Sequence, residues 1–280
     1  MNTLFTYTFR IFTRFTLFVL ALPLLAYAGL PQSANVPGGV AVIPLASVTN
    51  TNKPQAWLGD QPVLVTADHN QWFAVVGLAL STKPGPHKLR VNTDSATLVH
   101  HFTVNPKIYQ EQHIKLKDKG KVDLSAKNLK RVMLELKVIK GFKKYWRDAP
   151  ETDLDFIIPA EGALSSRFGL RRFFNDKPRK PHAGLDLAVP RGTPIKASAS
   201  GKVLAADDYF FNGKTVFIDH GNGLITMYCH LDKFKVKAGQ TVSKGELLGL
   251  SGKTGRATGP HLHWSVMLNG AMVDPELFIP

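Results

Sequence analysis

The stretch Lys214-Thr215-Val216-Phe217-Ile218-Asp219-His220-Gly221-Asn222-Gly223-Leu224-Ile225-Thr226-Met227-Tyr228-Cys229-His230 sets the fold. Two runs rich in β-branched and aromatic residues flank a Gly-Asn-Gly turn, which is the pattern of a β-hairpin. The same reading extends outward over Gly201-Lys202-Val203-Leu204, and glycine and proline punctuate the sequence from about Phe156 to Pro280. These features predict an all-β, antiparallel C-terminal domain over 156–280. Strand alternation places Tyr228 and His230 on one face and Cys229 on the other.

Upstream, Gln71-Trp72-Phe73-Ala74-Val75-Val76-Gly77-Leu78-Ala79-Leu80 is a near-continuous apolar run, as in a strand buried on both faces. Lys83-Pro84-Gly85-Pro86 reads as a turn, and His87 to Val91 and Leu98 to Val104 alternate as half-buried strands do. Residues 29–104 are therefore expected to form a small β-sandwich. Asp68, His69, His100 and His101 read as structural or surface residues, because adjacent histidines on a strand point to opposite faces.

Residues 105–155 read as a basic linker carrying an amphipathic helix. Ser125 is the expected N-cap, and Leu129, Val132, Met133, Leu136 and Ile139 recur at helical spacing. Packing between the two β regions is the expected use of this helix.

At the start, Arg10 and Arg14 precede the apolar stretch Phe15 to Leu25 and the small-residue site Ala26-Tyr27-Ala28. This is the pattern of a secretory signal peptide over 1–28, cleaved before Gly29. No later segment is apolar enough to span a bilayer, so no transmembrane span is expected after signal cleavage. A chain with 35 basic against 21 acidic residues and a formal charge of +14 is drawn to anionic surfaces. For an exported chain those surfaces are cell-wall polymers, lipid headgroups or acidic glycans, and the compartment argues against nucleic acid. Cys229 is the single cysteine, so no internal disulfide is possible. Gly252-Lys253-Thr254 lacks the spacing and the following helix of a phosphate loop.

Chemistry concentrates in three places. Pro181-His182-Ala183-Gly184-Leu185-Asp186 puts a histidine and a carboxylate four residues apart. Gly259-Pro260-His261-Leu262-His263-Trp264 puts two imidazoles on one strand face, and Tyr228-Cys229-His230-Leu231 supplies another. Imidazole and carboxylate are zinc ligand types, and three protein ligands leave one position open for a reactive water.

Together with Ser166-Arg167-Phe168-Gly169, Ile218-Asp219-His220-Gly221 and Gly252-Lys253-Thr254-Gly255, these motifs closely resemble the M23 zinc metallopeptidases, the LytM/lysostaphin group. The resemblance implies an all-β fold with an open groove and one Zn2+ per chain. It implies His182, Asp186 and His263 as metal ligands and His230 and His261 as the catalytic pair. The assignment of general base between those two histidines stays open. The implied reaction is hydrolysis of peptide bonds in peptidoglycan stems or crosslinks, in the periplasm of a Gram-negative bacterium. Some relatives have lost ligands and act without catalysis, so the alternative is a non-enzymatic envelope protein that binds peptidoglycan or regulates other wall hydrolases. Arg171, Asn175 and Tyr228 are the candidate substrate-binding residues, and Arg167 and Arg172 lie in the same upstream stretch, where an anionic, carboxylate-rich substrate could be held.

Overall fold

A computed structural model of the protein describes residues 29–48, 52–115 and 125–280. The expected signal peptide, 1–28, lies outside them. Among the described residues, no helix is long and apolar enough to cross a membrane.

The N-terminal region holds β1 (Val40–Ser47), β2 (Gln55–Leu58), β3 (Gln61–Asp68), β4 (Gln71–Gly77), β5 (Gly85–Asn92) and β6 (Thr97–Val104). They form an antiparallel sheet in the order β1-β4-β3-β2-β5-β6. The sheet wraps round its own core, in which Ala41, Val63 and Val76 meet Leu89, Val91 and Val104.

The apolar run in β4 has a physical explanation. Ala74 and Val76 enter the N-terminal core, whereas Val75, with Val40 and Leu64, enters the large core of the C-terminal domain. Each such side chain stabilises by about 1.5–3 kcal/mol when fully buried. A polar clamp adds to the join. The buried side chain of Asn269 accepts the Gly77 N–H (2.6 Å) and donates to the Gly77 carbonyl (3.1 Å). Any Cβ on Gly77 would stand 2.6 Å from the Leu268 carbonyl oxygen, so only glycine lets the two sheets approach this closely.

The C-terminal domain contains β8 (Ala163–Ser166), β9 (Arg171–Phe174), β10 (Lys177–Pro178), β11 (Leu185–Ala188) and β12 (Pro194–Lys196). It continues with β13 (Gly201–Tyr209), β14 (Gly213–Gly221), β15 (Leu224–Phe234), β16 (Thr241–Val242), β17 (Leu247–Ser251), β18 (Leu262–Leu268) and β19 (Ala271–Val273). Its main sheet runs β16-β13-β14-β15-β18-β11-β8 and is antiparallel throughout. The β14–β15 hairpin turns at Asn222 and Gly223, both at positive φ, as a tight hairpin turn with the right-handed strand twist demands.

Two features of 105–155 depart from the sequence reading. First, β7 (Glu111–Ile114) is a strand paired in parallel with β9, in a three-stranded sheet β10-β9-β7. The supposed linker thus contributes structure to the C-terminal domain. Second, the helix α1 (Ala126–Phe142), capped by Ser125 Oγ accepting the Asn128 N–H, packs on the C-terminal sheet rather than between the two β regions. Ile139 and Phe142 cover the face lined by Tyr209, Phe217, Met227 and Cys229. Glu135 ties the helix down by accepting the Phe210 N–H (2.8 Å). Val132 is buried, whereas Leu129 and Met133 are 49% and 64% exposed, so the buried stripe is narrower than the apolar spacing predicts.

Candidate active site

The site is assembled where β11, β15 and β18 lie side by side. Asp186 stands opposite His263 in the β11–β18 register, and Cys229 of β15 opposite His263 on the other side. Leu185, Leu187, Leu262 and Trp264 fill the large core, which turns Asp186, His261 and His263 to the opposite face. His182 precedes β11 in an extended segment fixed by its N–H donating to the Leu170 carbonyl (2.9 Å).

Three ligand atoms converge there. His182 Nε2 lies 3.0 Å from Asp186 Oδ1 and 3.0 Å from His263 Nδ1, and the last two are 2.8 Å apart. Among the described residues, this trio is the group of His, Cys, Asp and Glu side chains able to hold a metal ion. A tetrahedral ion with bonds of about 2.0–2.2 Å sets its ligand atoms about 3.3 Å apart, so opening the trio by a few tenths of an ångström would admit one.

The outer contacts fix which nitrogen faces the metal position. His182 Nδ1 meets the Arg167 carbonyl (2.9 Å), which requires its N–H there and leaves Nε2 able to coordinate a metal. His263 Nε2 meets the buried Ser265 Oγ (2.8 Å), leaving Nδ1 able to coordinate a metal. Burial pulls the Asp186 carboxyl upward, but the imidazoles of His182 and His263 against it outweigh that and hold it well below the usual carboxylate range. Burial lowers His263, with Asp186 opposing. An ionised carboxylate beside neutral imidazole is the protonation state a metal needs.

His230 and His261 stand beside the trio. Their ring centroids are 4.6 Å apart, and His261 Nε2 is 3.9 Å from Asp186 Oδ1. The His230 Nδ1–H donates to the Thr254 carbonyl (2.8 Å) and the His261 Nδ1–H to the Gly259 carbonyl (2.9 Å), so each ring keeps Nε2 for the groove. Burial pushes His230 down to about 4, so it is neutral near pH 7.

His230 reaches this position through a β-bulge. Val216 pairs with Tyr228 but Lys214 pairs with Leu231, leaving an extra residue on β15. His230 sits in it at φ +62°, a conformation costing about 1–2 kcal/mol for a residue with a Cβ. The backbone strain is offset by surrounding bonds, including the His230 N–H donating to the Asn212 carbonyl (2.9 Å).

The groove over these residues has a volume of about 620 Å3. Ser165, Ser166 and Arg172, the residues 256–260, and Gln112 and Ile114 of β7 complete its lining. No residue of 29–104 lines it among those described.

Residues 180–275 match the model of Peptidase family M23, and residues 33–107 match that of the Peptidase family M23 N-terminal domain. A crystal structure of a peptidase M23 protein from Pseudomonas aeruginosa is similar over 88% of this chain and 95% of its own, at 44% identity and a TM-score of 0.74. The chain belongs to peptidase family M23. Curated relatives of this M23 chain include the peptidoglycan DD-endopeptidase ShyA of Vibrio cholerae, 43% identical over 42% of this chain and 28% of its own length. The DD-carboxypeptidase/endopeptidase Mpg of Neisseria meningitidis is 42% identical over 40% of this chain and 26% of its own. The chain thus aligns with about a quarter of the length of these curated relatives.

Within this M23 chain, the residues singled out for substrate binding are placed differently from the sequence reading. Tyr228 does not face the groove. It is fully buried in the large core, its hydroxyl accepting the Ser198 N–H (2.9 Å) and bonded to Thr226 Oγ1 (3.1 Å). The bulge is the reason: it puts Leu231 in the same core as Tyr228 and separates His230 from that face. Arg171 pairs with Glu111 (2.8 Å) beside β7, and Asn175 is in the β9–β10 turn at φ +49°; neither lines the groove. Arg172, their neighbour, does.

The sequence reading assigns no role to these outer contacts, although Ser265 lies two residues from His263 and Ser166 and Arg167 belong to the Ser166–Gly169 motif. Gly184 had one available signal, its place between His182 and Asp186. A Cβ there would press on Ser265 Oγ and the Trp264 carbonyl oxygen and stand 2.9 Å from His263 Cε1.

Proposed function

We propose that this protein is a zinc-dependent endopeptidase that hydrolyses peptide bonds in peptidoglycan stems or crosslinks, acting outside the cytoplasm in a Gram-negative periplasm. The observation that carries the reading is the convergence of His182 Nε2, Asp186 Oδ1 and His263 Nδ1 beside two further imidazoles whose Nδ1–H groups are both anchored on carbonyls. The peptidoglycan-acting names of ShyA and Mpg support the substrate class.

The trio would hold the ion through three ligands, and bound zinc supplies a water of lowered pKa and a Lewis acid for the scissile carbonyl. The protein's own groups account for the rest. His230, neutral near pH 7, and His261 each offer Nε2 to take a proton, with Nδ1–H anchored, and can return that proton to the leaving amine. The imidazole that is not moving the proton can donate to the oxyanion that develops on the substrate carbonyl. Their adjacency, 4.6 Å between rings, lets both act on one peptide bond. The intact trio and histidine pair favour catalysis over a purely regulatory role.

The test is digestion of purified crosslinked peptidoglycan, with mass spectrometry of the released fragments. New peptide amino termini, absent when a chelator is added, are expected. Cleavage of glycosidic bonds, or no release at saturating zinc, would overturn the reading.

A further inference from the structure

Most arginines near the groove are already neutralised. Arg167 is paired with Glu276, Arg171 with Glu111 and Arg191 with Asp232. Arg172 differs from these three: it is half-buried on the groove wall and has no carboxylate partner among the described residues. Its bonds go to neutral acceptors, Nε to Gln112 Oε1 (3.2 Å) and Nη2 to Ser166 Oγ (3.1 Å). These contacts hold the guanidinium plane and leave Nη1 and one Nη2 hydrogen for a ligand. Among the described residues, the only carboxylate lining the groove is Asp186, which His182 and His263 engage.

The geometry points to Arg172 as the residue that binds a substrate carboxylate and so determines specificity. A planar guanidinium fixed on one edge is preorganised for two-point binding of a carboxylate on the other. The place relative to the reaction is set by the structure. Ser166 Oγ, which Arg172 touches, is 3.2 Å from His182 Nδ1. The guanidinium therefore lies no more than roughly 11 Å from the metal position, the span of about three extended residues. The carboxylate it reads belongs to a residue flanking the scissile bond, either on a side chain or at the chain terminus. Gln112 makes the strand β7 part of this recognition, because its amide oxygen fixes the Arg172 Nε edge. This inference rests on the proposed peptidase reading.

The test uses zinc-loaded protein and synthetic crosslinked peptide dimers in three forms: all carboxylates free, the side-chain carboxylate amidated, and the C-terminal carboxylate amidated. One of the amidations should lower kcat/KM by about 10- to 100-fold, the range of a charge-assisted hydrogen bond, and it identifies which carboxylate is read. In Arg172→Gln that free-to-amidated ratio should collapse to within about threefold of unity, mainly through KM, with Arg172→Lys intermediate. Zinc content is measured alongside. A ratio near unity for the unaltered protein, a ratio that persists in Arg172→Gln, or loss of zinc from that variant would each overturn the inference. If no dimer is cleaved, the peptidase reading fails. Calorimetric affinities for the same dimers still test Arg172, with the same ratios expected.

Discussion

Gly184→Ala tests how tightly the metal trio depends on sheet packing. Gly184 lies between His182 and Asp186, directly against β18. A methyl group there would collide with Ser265 Oγ and the Trp264 carbonyl oxygen and reach 2.9 Å from His263 Cε1, where carbon contacts prefer about 3.5–4.0 Å. Two of these neighbours are committed: Ser265 Oγ orients the His263 ring, and Trp264 is fully buried. Relief therefore needs a shift of roughly 1 Å between His182–Asp186 and His263. Metal ligands tolerate only about 0.2 Å from ideal distances, so zinc affinity should fall at least about 100-fold. Overpacking should also lower the stability of the metal-free protein by about 1–3 kcal/mol. Competition with a chromogenic chelator reads the first number and urea unfolding the second. Unaltered zinc affinity and an unaltered urea midpoint would refute the packing argument.

The roles in the site separate experimentally: His263→Ala should lose both zinc and activity, whereas His230→Ala should keep zinc by elemental analysis and lose at least about 100-fold in kcat. His220 is buried, with its ring between the Ser200 carbonyl and Thr226 Oγ1, and burial pushes it down to about 4. The unfolded chain then binds the extra proton between pH 6.5 and 4, so stability is complete above about pH 6.5 and is lost as pH falls. The loss is roughly 2 kcal/mol from pH 7 to 5, and urea titrations of His220→Gln should show a slope shallower by that amount. Asn269→Ala strips both buried partners from Gly77 and should cost about 2–4 kcal/mol. Because Val40, Leu64 and Val75 share the C-terminal core, the unaltered protein should unfold in one transition, and two resolved transitions would count against that shared core.

Local signals carried much of the fold. The β14–β15 hairpin follows from its Gly-Asn-Gly turn, and the double burial of β4 from its unbroken apolar run. Period-two spacing also put His261 and His263 on one face, as the burial of Leu262 and Trp264 between and beside them requires. It failed at His230, because a bulge adds a residue that alternation cannot anticipate, and Tyr228 went to the core as a result. The strand β7 was missed for another reason. Glu111-Gln112-His113-Ile114 has one aliphatic residue, and its partner in β9 is some sixty residues away, so only the tertiary pairing makes it a strand. The same pairing brings Gln112 to Arg172 and Glu111 to Arg171, which separates two neighbours that the sequence alone treats alike. For α1 the helical period was clear, but how much of the stripe is buried depends on the sheet beneath it.

The central claim is that His182, Asp186 and His263 hold the metal while His230 and His261 stay available to the substrate. A crystal of the zinc-loaded protein, measured on both sides of the zinc absorption edge, tests it most directly. The account predicts one anomalous peak about 2.0–2.2 Å from His182 Nε2, an Asp186 carboxylate oxygen and His263 Nδ1, with both other imidazoles unligated. A peak bonded to His230 or His261 in place of one of the three, or none at this site, would contradict it.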